Sequence, residues 1–197
     1  MNFSFRYKGL GVILLFWLFL NFILTKIFFR KARLIRLPYY LRIQGDMELG
    51  KGFSANSGLV IDVYGKKAKL VIGENVMANY RLHIGVCEEI YIGDNTLFGS
   101  DCLIIDHSHG IYGGDIHSSP QVAPQKRELI SSAISIGSNC WFGDKVSIMP
   151  GVKIGNGVVV GANSVVTKDL SSNVIAAGSP ARIIKRYDIN LQKWLKV

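Results

Sequence analysis

The chain has 197 residues, which is enough for one domain with a buried core. Apolar residues make up 49% of it and charged residues 19%, and this composition excludes a disordered protein. The net charge of +9 would suit a nucleic-acid-binding protein, but residues 43–181 carry ten basic and thirteen acidic side chains. The basic excess therefore lies at the two ends of the chain, and we expect no nucleic-acid partner.

The N-terminal segment, residues 1–42, carries eight basic side chains and no acidic one. Residues 9–25 within it are uncharged and apolar, and as a helix they would be about 26 Å long, against about 30 Å for a bilayer core. Lys26 and the cations of residues 30–36 follow without a small-residue cleavage site, which disfavours a signal peptide. We expect residues 1–36 to associate with a membrane, either crossing it or lying on it, with the catalytic part on the cytoplasmic side.

A six-residue period begins near residue 43. Large apolar residues recur at this spacing in the second half of the chain, at Ile136, Phe142, Ile148, Ile154, Val160 and Val166. Phe98 and Ile104 continue the same spacing from Ile92, and the phase slips by two residues between Ile84 and Ile92. A hexapeptide period is typical of an all-β solenoid of stacked coils, so we expect this fold over residues 43–186.

Residues 187–197 follow the repeat. Their apolar side chains, Ile189, Leu191 and Trp194, predict a short amphipathic C-terminal helix. Because the last coil of a solenoid has no further coil to cover it, we expect this helix to cap the stack.

The period fails over residues 106–133, which predicts a loop that leaves the stack. Three of the four histidines lie in it, at His107, His109 and His117. A long loop held by a regular scaffold is a common place for functional residues. A neutral imidazole can accept a proton from a hydroxyl near neutral pH, so the loop is the predicted catalytic region.

His107 is the first candidate for a general base, because it directly follows the last regular strand position and is held by the coil. His109 is the second candidate. Asp106 is expected either to orient an imidazole or to bind the acceptor substrate, and His117 is expected to contact the acceptor. The sequence pairs no cysteine or serine nucleophile with a base, so direct transfer is favoured over a covalent intermediate.

The stretch ISIGSNCWFGDKVSIMPGVKIGNGVVVGANSVVTKDLSSNVIAAGSPARIIKR resembles the hexapeptide-repeat acyltransferases, and within them the O-acetyltransferases of lipopolysaccharide and capsule gene clusters. The resemblance implies a left-handed parallel β-helix that assembles as a homotrimer and binds acetyl-CoA between subunits. It also implies acetyl transfer to a sugar hydroxyl of a cell-surface polysaccharide precursor, and we expect no metal. From the basic run that follows residue 25, we expect this transfer at the cytoplasmic face of the membrane. The membrane-associated segment suggests a lipid-linked form of this acceptor.

The same resemblance assigns roles in cofactor binding. Ala162 and Thr167 match residues that contact the pantetheine arm through their backbone. Lys168 and Arg182 match cations that meet the phosphates, and Lys185 is a further candidate. A cofactor that carries a pyrophosphate and a 3′-phosphate needs such donors.

The residues that bind the acceptor sugar in this family are matched less well in the sequence. Asn79 corresponds to an asparagine that contacts sugar in galactoside enzymes, but the acid eight residues later is replaced by Cys87. This departure argues against a simple galactoside or maltose acceptor. The turn at Gly143 and Asp144 corresponds to the oxyanion-binding turn of the family.

Three alternatives remain open from the sequence. One is a soluble acetyltransferase that acts on a small sugar or an antibiotic. Another is a zinc enzyme of the γ-carbonic-anhydrase type, with His107, His109 and His117 as ligands, although the VVTKD and GSPAR segments favour the acetyltransferase. The third is a non-catalytic solenoid scaffold.

Overall fold

One helix precedes twenty-two short strands in the computed structural model, which describes residues 11–197. The helix is α1 (Val12–Phe28), and a 3₁₀ turn lies at Pro124–Lys126. The strands are, in chain order, β1 (Leu34–Ile35), β2 (Tyr39–Ile43), β3 (Asp46–Leu49), β4 (Ser54–Ala55), β5 (Leu59–Val63), β6 (Lys69–Ile72), β7 (Met77–Ala78), β8 (His83–Val86), β9 (Glu89–Ile92), β10 (Leu97–Phe98), β11 (Leu103–Ile105), β12 (His107–His109), β13 (Leu129–Ser131), β14 (Ile134–Ile136), β15 (Trp141–Phe142), β16 (Ser147–Ile148), β17 (Lys153–Ile154), β18 (Val159–Val160), β19 (Val165–Val166), β20 (Val174–Ala177), β21 (Arg182–Asp188) and β22 (Lys193–Lys196).

The strands stack into three parallel sheets, which form the faces of a solenoid of about seven turns. The first face has the order β1-β4-β7-β10-β15-β18-β20, the second β2-β5-β8-β11-β16-β19 and the third β3-β6-β9-β14-β17. Successive strands along the chain lie on successive faces, and each strand pairs in parallel with its counterparts in the neighbouring coils. The predicted β-solenoid is confirmed, and its stacked coils are consistent with a left-handed parallel β-helix.

The six-residue period has a direct structural cause. Residues six apart fall on successive faces, and each points into the interior, so the whole row from Ile136 to Val166 is buried. Side chains of one coil rest on those of the next, as the rings of Phe98 and Phe142 do at 4.9 Å between centroids. Full burial of one such side chain contributes about 1.5–3 kcal/mol, so the stability of the stack grows with each coil.

The departures from this period fall at one corner, between the second and third faces. The buried residues Ile84 and Ile92 lie on either side of it, and the two extra residues of the phase slip occupy it. Residues 106–133 leave the stack at the same corner, between β11 and β14, and β12 pairs antiparallel with β13 at their base. We call the segments 86–88 and 106–133 the insertion corner.

The two ends of the solenoid differ from the expectation. Strands β1 and β2 already belong to the first coil, so the stack begins before residue 43. The predicted C-terminal helix over residues 187–197 is wrong, because β21 and β22 form an antiparallel hairpin that extends the first face. The edge of β20 presents backbone N–H and C=O groups, and a strand can pair with them where a helix cannot.

Helix α1 covers the opposite edge with its polar side. Thr25 Oγ1 accepts a hydrogen bond from Ile35 N at 2.9 Å, and Asn21 Oδ1 accepts one from Leu37 N at 2.5 Å. Asn21 and Thr25 are the buried side chains of α1, while most of its large apolar side chains are exposed. Within residues 11–197, no helix has the length and apolar character needed to cross a bilayer.

Replacing Thr25 with valine should destabilise the N-terminal end of the stack. Valine has the shape of threonine but no oxygen, so the buried N–H of Ile35 loses its acceptor, at a cost of about 1–3 kcal/mol. Amide hydrogen exchange at Ile35 should therefore be faster in Thr25→Val than in the wild type. Thr25→Ser keeps the hydroxyl and serves as the matched control. Equal protection of Ile35 in both variants would show that the hydroxyl does not hold the helix.

Candidate active site

A buried carboxylate lies at the insertion corner. The side chain of Asp106 is fully buried, and its two oxygens accept hydrogen bonds from the backbone N–H groups of Cys87 and Glu88, both at 2.7 Å. These two amides belong to the turn that contains the phase slip. The two-residue slip in the sequence thus supplies the donors that stabilise a negative charge at this position.

His107 is held by this carboxylate. Its Nδ1 lies 3.1 Å from Asp106 Oδ1, and its side chain is 23% exposed. An ionised carboxylate can only accept, so Nδ1 carries the proton and Nε2 keeps a free lone pair. A Cβ atom placed on Gly85 would lie 3.2 Å from Cε1 of His107, so the glycine leaves room for the ring. The arrangement suits a general base.

The burial of Asp106 bears on its two expected roles. A carboxylate without exposed surface has no access to an acceptor in the described chain, so the predicted substrate contact is not supported. The hydrogen bond to His107 fits the orienting role instead.

His109 and His117 are both exposed, whereas His107 is partly buried beside Asp106. Among the described residues, the three loop histidines do not come within ligating distance of one another, which disfavours the three-histidine zinc site. The group that does come together is Cys87, Asp106 and His107, with their ligand atoms within 4.8 Å. Both oxygens of Asp106 already accept backbone hydrogen bonds there.

A second charged pair lies beside His107, and the sequence patterns did not indicate it. Asp62 pairs in register with Gly85 on the neighbouring coil, and Arg42 donates two hydrogen bonds to its carboxylate. The hydrogen bond from Arg42 lowers the pKa of Asp62, and the nearby imidazoles of His83 and His107 lower it further. The two members are 20 residues apart, the length of the local coil, so the pair can be found once that length is known.

Cys87 occupies the position where the resembled family has an acid. Its thiol joins Asp106 and His107, and burial together with the negative charge of Asp106 raises its pKa to about 11. The thiol is therefore protonated near neutral pH and is a poor nucleophile.

The predicted cofactor residues lie around the second face, on the last coils. Ala162 follows β18, and Arg182 pairs in register with Ala177, so both lie at the corner between the first and second faces. Thr167 and Lys168 follow β19 at the opposite end of this face, two coils beyond β11, which is about 10 Å along the stack. All four are exposed. Lys185 lies on β21, half-buried.

The remaining predicted residues lie at the corner between the first and second faces. Asn79 follows β7 there, and its Oδ1 accepts a hydrogen bond from the side chain of Asn56 at 3.2 Å. The N–H of Gly143 donates to Val160 O at 2.8 Å, so it is not free to bind an oxyanion. The second face of one coil takes about six extended residues, so its two corners are about 15–20 Å apart. A single chain therefore does not bring Asn79 or Gly143 to His107.

Comparison with known proteins gives consistent matches. A family model described as bacterial transferase hexapeptide (six repeats) matches residues 133–168, and one described as hexapeptide repeat of succinyl-transferase matches residues 89–112. The chain is 42% identical over 175 residues to the putative lipopolysaccharide biosynthesis O-acetyl transferase WbbJ of Escherichia coli K12. This alignment covers 88% of the chain and 89% of that protein.

Two solved structures extend the comparison. A maltose O-acetyltransferase from Clostridium difficile 630 superposes with a TM-score of 0.59 at 35% identity, over 72% of this chain and 70% of that one. A galactoside acetyltransferase in complex with coenzyme A superposes with a TM-score of 0.57 at 32% identity, over 74% of this chain and 66% of that one.

The thiol of Cys87 should react slowly with iodoacetamide. At pH 8 a thiol with a pKa of about 11 is ionised to roughly 0.1%, against roughly 10% for one at 9.0, so alkylation should be roughly 100-fold slower than in a free peptide. The rate should rise with pH and reach its midpoint near 11. Peptide mapping by mass spectrometry separates Cys87 from the two buried cysteines. A midpoint below 9 would mean that Cys87 is an activated thiol.

Proposed function

The chain belongs to the hexapeptide-repeat acetyltransferases, and we propose that it transfers the acetyl group of acetyl-CoA to a hydroxyl of a sugar in a cell-surface polysaccharide precursor. Two findings support this acceptor class. The relative at 42% identity, which aligns over most of both chains, is described as a putative lipopolysaccharide biosynthesis O-acetyl transferase. Cys87 replaces the acid of the galactoside enzymes, which argues against a simple galactoside acceptor.

The single observation that carries the mechanism is the Asp106–His107 pair. Nε2 of His107 removes the proton from the acceptor hydroxyl as its oxygen attacks the thioester carbonyl. Asp106 fixes the tautomer and stabilises the imidazolium that forms. The tetrahedral intermediate then collapses, the C–S bond breaks, and the imidazolium returns its proton to the CoA sulfur. No covalent enzyme intermediate is needed.

The oxyanion of this intermediate needs a backbone donor. In the turn that the family uses, the N–H of Gly143 is engaged, whereas the N–H of Asp144 has no acceptor within residues 11–197. Asp144 N–H is therefore our candidate. Its side chain accepts a hydrogen bond from Ser100 N at 2.6 Å, which fixes the turn.

The cofactor residues complete the proposal. Ala162 and Thr167 contact the pantetheine arm through their backbone, and the exposed cations Lys168 and Arg182, with Lys185, neutralise the phosphates of acetyl-CoA. We further propose that His117, which is exposed in residues 106–133, contacts the acceptor, and we keep His109, also exposed there, as the second candidate base.

The positions of these residues support a homotrimer. His107 is at the insertion corner, while Asn79, Asp144 and Ala162 line the other end of the second face. A threefold assembly of triangular prisms can place the insertion corner of one subunit beside the other corner of its neighbour. We therefore propose that each active site is shared by two subunits, at the cytoplasmic face of the cell membrane.

Replacing His107 with alanine should lower the turnover rate at least about 100-fold, because the general base is lost. The release of CoA thiol from acetyl-CoA, with lipid-linked saccharides and free sugars offered as acceptors, measures the rate. Calorimetry should show unchanged acetyl-CoA binding, which separates lost chemistry from lost folding. His109→Ala should have the smaller effect. A larger loss of turnover rate in His109→Ala than in His107→Ala would make His109 the base. Absence of acetyl-CoA binding by the wild type would contradict the transferase proposal.

Mixed oligomers test the shared site. His107→Ala and Ala162→Trp subunits should each be inactive alone, because one lacks the base and the other obstructs the cofactor. Co-expressed in equal amounts with different tags, they should recover about a quarter of wild-type activity, since about a quarter of the subunit boundaries combine two intact corners. Activity that stays at the level of either parent would place the complete site within one subunit.

A further inference from the structure

Helix α1 is inverted relative to an ordinary surface helix. Its polar residues Asn21 and Thr25 are buried against the first coil, while Ile13 is 86% exposed and Phe16 65% exposed. Exposed large apolar side chains occur along its whole length, from Val12 at its start to Phe28 at its end. A continuous apolar surface of this size marks an interaction site.

The orientation of this surface is fixed by the solenoid. Hydrogen bonds to Ile35 N and Leu37 N hold the polar side of α1, and Lys26 Nζ donates to Ala32 O at 2.6 Å. All three anchors lie in the second half of the helix, so the first half projects from the stack with its apolar side chains exposed. The helix cannot turn these side chains inward without losing the buried hydrogen bonds.

Positive charge borders the apolar surface. Arg30, Lys31 and Arg33 are exposed directly after α1, and residues 11–42 contain no acidic side chain. Arg30 and Lys31 also line a groove of about 590 Å³, together with Phe28, Met47 and the acidic Glu48. Apolar walls next to an excess of cations match the acyl region and the headgroups of an anionic lipid layer.

We propose that α1 and the cations that follow it form a docking face for an anionic lipid bilayer. The exposed apolar side chains enter the acyl region of one leaflet, and Arg30, Lys31 and Arg33 contact the headgroups. This inference rests on the proposed action at the membrane and gives it a geometry. His107 follows β11, three coils from the first coil, which is about 15 Å along the stack. A sugar carried on a lipid is within reach at that height.

Vesicle flotation with the full chain tests this docking. We expect binding to vesicles of phosphatidylcholine with 30% phosphatidylglycerol, and at least tenfold weaker binding to phosphatidylcholine alone. The double variant Phe16→Ser/Phe19→Ser should bind the anionic vesicles at least tenfold more weakly, and Arg30→Glu/Lys31→Glu should lose the preference for phosphatidylglycerol. The matched controls lie on the C-terminal hairpin and its turn: Ile189→Ser/Leu191→Ser and Lys193→Glu/Lys196→Glu should bind as the wild type does.

Three results would overturn the docking face. One is a wild type that binds neither vesicle, and another is an equal loss in the control variants. The third is a Phe16→Ser/Phe19→Ser variant with unchanged vesicle binding but a smaller sedimentation coefficient, which would make α1 a contact between copies of the chain. CoA release with a water-soluble acceptor reports the transferase activity separately, so failure of the docking face and failure of the proposed function are distinguishable.

Discussion

The register between neighbouring coils governs the rest of this molecule. Every strand pairs in parallel with the strands before and after it, and interior side chains rest on their counterparts, such as Phe98 on Phe142. Two of the three corners keep the six-residue spacing between buried residues in every described coil. Extra residues are accommodated only between the second and third faces, since an insertion elsewhere would shift the interior side chains of the following strand. The irregular chain, and the candidate base, therefore lie at one corner.

The site uses this irregularity in two ways. The phase slip brings two backbone amides to Asp106, so a carboxylate can be buried next to an imidazole. The chain leaves the stack directly after Asp106, and His107 therefore stays partly exposed. One corner thus combines a buried charge with an accessible ring, while the corner at the other end of the second face holds Ala162 and Arg182, two of the residues expected to bind acetyl-CoA.

The ends of the stack pose a second physical problem, because each ends in a strand with unpaired backbone groups. At the C-terminal end, β21 and β22 pair with the edge. At the N-terminal end, Asn21 and Thr25 satisfy it with side-chain oxygens. Because these polar side chains face the edge of the stack, the apolar side of α1 is left uncovered. The capping of the edge therefore also exposes the surface that we propose to contact the membrane.

The sequence by itself determined the six-residue period, the place where it breaks and the acetyltransferase family, all of which the structure and the comparisons confirm. These features are local and repeated, so a single chain displays them directly. It did not reveal the terminal hairpin, the burial of Asp106, the Arg42–Asp62 pair or the inverted orientation of α1. Each of these depends on which groups of a neighbouring coil or strand lie opposite a given residue, about 10 to 20 residues away along the chain, and only the stacked structure decides that.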